Sequence, residues 1–237
     1  MNKITTFRGE YHFSLENLDK ITSYLNKPAL IALAARPGVG KTTFAMNIAK
    51  YEVEYHNKNV VYFSFEISEK QAYVKYNIQD KSSIHIIDDV PLTVSQMKEK
   101  LQNLGNVDLV IIDFIQLIQY ESEEKNRVRQ FMDIDSALKK LSQESNVPII
   151  ILSQLSRGID NRTDHHPILQ DFRNYSGIEV DADIIMFLYR DSYYTKGQGY
   201  YYDDLECIIA KNRYGETGTI PLNCQLDFKV LQSNNEV

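Results

Sequence analysis

Two cysteines in 237 residues are too few to staple a fold. A chain of this length needs no staples, being long enough for one large or two small domains with a sizeable core. Cys207 and Cys224 both lie in strand-like runs and read as small buried apolar side chains rather than as a bridge or a metal pair. A long apolar run is also missing. No stretch approaches the ~20 residues that span a bilayer, and the opening MNKITTFRGEYHF is polar and aromatic, unlike a signal peptide. A soluble, cytoplasmic protein with no membrane partner is expected. Nor is there an excess of positive charge. With 32 acidic against 26 basic side chains the net charge is −6, which argues against a protein that coats nucleic acid by bulk electrostatics and leaves a local channel as the remaining option. The sequence holds no internal repeat and no low-complexity segment, and its tail QSNNEV is expected to fray.

What is present is alternation. Strand-like runs occur at 29–34, 59–65, 84–88, 107–113, 148–154, 183–189 and 205–210, several of them apolar at consecutive positions, the mark of strands covered on both faces. Helical spacing falls between them. Phe44, Ile48, Tyr51 and Tyr55 share one helix face, Val128, Phe131, Ile134, Leu138 and Leu141 share another over 125–145, a short helix fits 68–77, and Thr93 can cap a helix over 93–103. The order predicts an α/β fold with a mostly parallel sheet, whose ligands gather at the C-terminal ends of the strands.

Between the run ALIALA and the first of these helices lies AARPGVGKTT, residues 34–43. The pattern G-x-x-x-x-G-K-[ST] has Ala35 in its first position, a mild departure, since Ala ends a strand there without strain if φ is negative. The rest is intact: Arg36, Pro37, Gly38, Val39, Gly40, Lys41, Thr42 and Thr43 form a loop. Its glycines let backbone N–H groups approach phosphate oxygens, Lys41 reaches the β and γ phosphates, and the Thr42 hydroxyl ligates Mg²⁺.

Three strand-end side chains are candidate companions. Asp113 closes LVIID, where a carboxylate either faces the metal side of the nucleotide or caps the following turn. Glu66 is either a base for the attacking water or an ordinary residue at the start of the helix at 68–77. Gln154 either senses the γ phosphate or makes a plain strand-end hydrogen bond. His165 and His166 lack neighbours at metal-ligand spacing and read as exposed loop residues.

The words AARPGVGKTTFAMNIA, FSFEIS, DLVIIDFIQLI, NVPIIILSQLSRGIDNRTDHHPILQDFRNYSGIEVDADIIMFLYRD and IIAKNRYGETGTI occur in this order. Together they resemble the C-terminal ATPase domain of the bacterial replicative DNA helicases of the DnaB family, over residues from about 12 to about 222. The resemblance implies a RecA-like core, a mostly parallel twisted sheet with helices on both faces, that hydrolyses ATP with Mg²⁺ between subunits of a hexameric ring around single-stranded DNA. It implies a short N-terminal arm over 1–13, a single ATPase domain over 14–231 and a frayed tail over 232–237. It makes Glu66 the catalytic carboxylate and Gln154 the γ-phosphate sensor. It sets Lys211 and Arg213 of AKNRYG against the nucleotide of the neighbouring subunit, and it makes Arg173, Asn174, Ser176 and Gly177 the contacts to DNA phosphates.

The chain departs from the family in three places. R-N-Y-S-G stands where R-E-S-G-S is usual, the connection between FSFEIS and IHIIDDVPLTV is short, and the family's N-terminal helical domain and most of its linker helix are not in the sequence. Two functional readings follow. The first is a DnaB-like ATPase acting on single-stranded DNA, a reduced helicase of a plasmid, phage or other mobile element. The second is a nucleotide-switched DNA-binding or helicase-interacting module. The full hydrolytic set favours the first.

Overall fold

The computed structural model describes residues 7–13, 15–78, 81–89, 91–121, 123–172, 177–194, 205–222 and 224–230. Strand β1 (Phe7–Phe13) and helix α1 (Leu15–Thr22) lead into β2 (Leu30–Ala35), α2 (Lys41–His56), β3 (Val60–Ser64), α3 (Glu69–Lys75) and β4 (Ile84–Ile87). There follow α4 (Val94–Leu104), β5 (Leu109–Asp113), α5 (Arg127–Ser145), β6 (Ile149–Gln154), the one-turn α6 (Ile178–Asp181), β7 (Ile184–Arg190), β8 (Leu205–Asn212), β9 (Gly218–Leu222) and β10 (Cys224–Val230).

Every strand-like run of the sequence becomes a strand. They assemble in the order β4-β3-β5-β6-β2-β7-β8-β9. The first six are parallel, and β8 and β9 extend the sheet antiparallel. Consecutive apolar residues serve both faces. In β2, Ile31, Leu33 and Ala35 pack with Phe44 and Ile48 of α2 and Ile21 of α1, while Leu30, Ala32 and Ala34 pack with Phe131, Ile134 and Leu138 of α5 and Met97 of α4. The protein is therefore α/β, with helices on both faces of a mostly parallel sheet. Among the described residues no helix is long and apolar enough to cross a membrane.

The helix starts carry the chemistry their sequences offer. Thr93 and Gln96 form a reciprocal capping box on α4, Ser68 and Gln71 form another on α3, and Asn126 accepts from the Val128 and Arg129 N–H groups at the start of α5. Two positions assigned to helix faces differ. Val128 and Tyr55 are about half exposed, because each lies at the rim of its apolar stripe, and Tyr55 covers itself by stacking on Tyr51 at 4.8 Å between ring centroids.

Strands β1 and β9 had no clear sequence signal, and β10 had only the strand-like setting of Cys224. β9 is a short edge strand with Pro221 in it, and β1 pairs with β10 antiparallel from Phe7 opposite Val230 to Phe13 opposite Cys224, a match between segments at the two ends of the chain. Cys207 is fully buried in β8, as its setting predicts.

Candidate active site

The parallel strands end together at one edge of the sheet, and the phosphate loop leaves from the middle of that edge. Ala35 is the last residue of β2 and lies opposite Gln154, the last of β6. Its carbonyl accepts the Leu155 N–H at 3.0 Å, so Ala is accommodated as ordinary strand backbone. Beyond it the chain must reverse. Gly38 and Gly40 take φ of +83° and +113°, conformations that L side chains rarely adopt. At Gly40 an added Cβ would meet nothing within 4 Å, so the requirement there is backbone conformation rather than space. Gly40 then caps α2, its carbonyl accepting the Phe44 N–H at 2.9 Å. The loop thereby delivers a helix N-terminus, with its unpaired N–H groups, to the sheet edge.

Lys41 and Asp113 meet under this loop. Lys41 Nζ is 3.9 Å from Asp113 Oδ1, with both side chains buried. Burial lowers the Lys41 pKa, and the charges of Asp113 and Glu66 oppose that lowering. Asp113 Oδ2 accepts a 2.8 Å hydrogen bond from the Tyr62 hydroxyl, whose own pKa burial and Asp113 push well up, so Tyr62 stays a donor. Asp113 Oδ1 has no hydrogen-bond partner although it is buried. A buried carboxylate oxygen beside one lysine and without a hydrogen-bond partner is the arrangement that a cation-bound phosphate would complete.

Around this pair, Glu66 is exposed in the turn after β3. Gln154 is half-buried at the end of β6. Gln116 donates from Nε2 to Ser153 Oγ at 3.0 Å and to the Gln154 carbonyl at 3.4 Å, bracing that strand end. Tyr62 and Gln116 were not foreseen. Tyr62 looks like one more apolar position of β3, and Gln116 sits in the 3-10 turn Ile115–Leu117 with no spacing to mark it.

The Arg36 side chain turns away from the rest of its loop. Nε and Nη2 pair with both carboxylate oxygens of Asp160, and Nη1 donates to the Leu155 carbonyl. His165 and His166, expected as exposed, are half-buried because each stacks on a tyrosine: His165 on Tyr194 at 4.1 Å and His166 on Tyr189 at 3.9 Å.

Lys211 and Arg213 are not brought to the phosphate loop. Strand β8 runs antiparallel to β7, with Lys211 opposite Ile185 and Asn212 opposite Ile184, so its end lies at the start of the parallel strands. Lys211 Nζ donates to the carbonyls of Glu179, Val180 and Ala182, and Arg213 donates to the Val180 carbonyl and to Asp183. Asp183, buried, also pairs with Lys139 and accepts the Leu30 N–H. Arg173, Asn174 and Ser176 lie outside the described residues. Gly177 is described, and it precedes α6 with φ of −79°, packed against Met132.

The model of the DnaB-like helicase C-terminal domain family matches residues 12–85 and 70–233. The chain belongs to that family. Over 238 residues it is 37% identical to the replicative DNA helicase DnaB of Geobacillus stearothermophilus, in an alignment covering 86% of this chain and 52% of that protein. Among solved structures, the ATPase domain of G40P superposes with a TM-score of 0.76 at 31% identity, covering 86% of this chain and 85% of that one. A DnaB-like replicative helicase, solved in a study of its interactions with primase, gives a TM-score of 0.76 at 32% identity, covering 86% of this chain and 57% of that one. The fold is therefore that of the helicase ATPase domains, and the chain spans about half the length of the curated relatives it matches.

Proposed function

We propose that this DnaB-like chain hydrolyses ATP with Mg²⁺ at the phosphate loop and couples turnover to single-stranded DNA held by Arg173, Asn174, Ser176 and Gly177. The observation that carries the reading is the buried Lys41–Asp113 pair, whose Asp113 Oδ1 faces Lys41 but accepts no hydrogen bond, beneath a loop that presents a helix N-terminus.

In this reading Lys41 binds the β and γ phosphates, and the N–H groups of 38–43 surround them. Thr42 and Asp113 would hold Mg²⁺, which when bound neutralises charge on the phosphates; the orphaned Asp113 oxygen suits that donor set. Glu66, exposed at the mouth, polarises the attacking water, and Gln154 reports the γ phosphate. Lys211 and Arg213 act on the nucleotide of a neighbouring copy. Their position supports this, since the register puts Arg213 level with the start of β2, about 16 Å down the strands and about 10 Å across from Ala35, beyond the reach of its own phosphates. The assembly is a homo-oligomeric ring built from a single domain over 14–231, in a cytoplasmic protein.

A second reading draws on one observation. Lys211 is tied to carbonyls of its own chain and Arg213 to a carbonyl and to Asp183, as they would be in a nucleotide-switched binding module with no catalysis between subunits. Mg²⁺-dependent ATP hydrolysis, measured with and without single-stranded DNA alongside the mass in solution, separates the two. DNA-stimulated turnover by an oligomer supports the first reading, and nucleotide binding by a monomer without turnover supports the second.

A further inference from the structure

Tyr62 lies in the middle of β3 opposite Ile111 of β5, and Ser64, two positions on, lies opposite Asp113. Residues two apart in a strand share a face, so Tyr62 belongs to the side of the sheet that α2 covers, in the apolar cluster that holds Phe44, Ile48 and Ile111. From there its hydroxyl reaches along the strands and donates to Asp113 Oδ2 at 2.8 Å. The two residues are 1% and 2% exposed, so water does not compete for this bond.

What the bond does follows from the geometry of a carboxylate. The last torsion of an aspartate is broad and roughly two-fold, so the end of β5 fixes where the Asp113 side chain starts but not which oxygen faces the phosphate loop. Lys41 does not fix it either, because at 3.9 Å its Nζ is beyond hydrogen-bond distance of Oδ1. Among the described residues, the Tyr62 hydroxyl is the side-chain donor on this carboxylate. A phenol has only two torsions, and this one is packed in the core, so it cannot follow a carboxylate that turns. It holds Oδ2 toward the core and leaves Oδ1 on the Lys41 side.

We propose that Tyr62 is a positioning residue for the metal side of the site, its hydroxyl turning Asp113 so that Oδ1 is the oxygen presented to a divalent cation. The inference rests on the reading of Asp113 as a metal-side residue. Partners of this kind orient the groups that meet the metal, and removing one weakens metal binding by about 10- to 100-fold. A second buried tyrosine supplies the control. Tyr76, at the end of α3, lies in the same cluster, and its hydroxyl has no hydrogen-bond partner among the described residues.

The test reads metal binding rather than turnover. Mn²⁺ is titrated into the chain with ADP, against an ADP blank, and the free ion is followed by electron paramagnetic resonance. The proteins are parent, Tyr62→Phe, Tyr62→Leu, Tyr76→Phe, Asp113→Asn and the double variant Tyr62→Phe/Asp113→Asn. Affinity for a fluorescent nucleotide in EDTA is measured beside it, at a temperature where denaturant unfolding shows each chain to be native. Tyr62→Phe should weaken Mn²⁺ binding about 10- to 100-fold and leave metal-free nucleotide affinity within about twofold. Tyr62→Leu removes the donor with a different shape and should do the same, which keeps the comparison open if Tyr62→Phe folds poorly. Tyr76→Phe should match the parent. The double variant should bind Mn²⁺ no more weakly than Asp113→Asn, because Tyr62 acts through Asp113. Parent-like Mn²⁺ affinity in the Tyr62 variants, with Asp113→Asn weakened, overturns the role of Tyr62 and leaves the metal reading standing. So does a double variant weaker than Asp113→Asn, or a Tyr76→Phe chain as weak as Tyr62→Phe. Parent-like affinity in Asp113→Asn overturns the metal reading, and this inference with it.

Discussion

Lys211 faces Ile185 across the antiparallel β7–β8 pair, and Ile185 faces Ala32 of β2, so Lys211 lies three residues short of the strand end from which the phosphate loop departs. Arg213, two positions further on, lies lower still. This register separates the two halves of the proposed catalytic set within one chain, so that in the proposed assembly they would meet between copies.

Lys41→Ala and Arg213→Ala should each be nearly inactive alone, one lacking a phosphate clamp and the other a transition-state cation. Mixed under conditions of subunit exchange, they should regain activity, since some interfaces would pair an intact Lys41 with an intact Arg213. The regained activity should rise with protein concentration. A mixture as inactive as its components, with exchange shown independently, would rule out action on a neighbour's nucleotide.

Lys41→Ala and Glu66→Gln should fail by different routes. Removing the charge that meets the phosphates should weaken ATP binding roughly 10- to 100-fold. Glu66→Gln should leave binding nearly intact and slow turnover by about 10²- to 10⁴-fold, the usual worth of a positioned base. Titration with a fluorescent nucleotide alongside steady-state hydrolysis distinguishes them, and a Glu66→Gln variant with the parent rate would remove Glu66 from catalysis.

Tyr62→Phe should destabilise the chain although no volume is added. Asp113 Oδ2 would lose its 2.8 Å donor while staying buried, a loss of about 1–3 kcal/mol. Denaturant unfolding without nucleotide measures this. Equal stability of parent and variant would show that the tyrosine hydroxyl is dispensable to Asp113.

A pH-dependent stability is expected from Asp135 of α5. It is fully buried, neither oxygen completes a hydrogen bond, and burial followed by the neighbouring Asp181 pushes its pKa up to about 8, with the Gly177 N–H opposing. The fold favours the neutral acid, so between the ordinary carboxylate range and about pH 8 the native chain holds a proton that the unfolded chain has released. Stability should therefore fall as pH rises through that window, by up to about 1.4 kcal/mol per pH unit, and level off above it. Asp135→Asn should lack this slope. Parallel stability curves for the two proteins from pH 5 to 9 would show that the carboxyl ionises freely.

Much of this protein was legible in the order of its residues. Short continuous apolar runs such as LVIID and IIILS point to strands covered on both faces, because neighbouring side chains of a strand point to opposite sides and here both are apolar. The Gly-Lys loop followed by a helical stripe specifies its own local turn, since φ at Gly38 and Gly40 depends on a few neighbouring bonds. Those features are local, and local chemistry writes them into the sequence.

Contacts between distant segments were not legible. Nothing in Arg36 announces Asp160, nothing in Tyr62 announces Asp113, and the pairing of β1 with β10 joins the two ends of the chain. Lys211 and Arg213 show the same limit most clearly. The motif names them, but only the antiparallel sense of β8 decides which edge of the sheet they occupy, and that sense is set by how the whole sheet closes its hydrogen bonds and buries its faces.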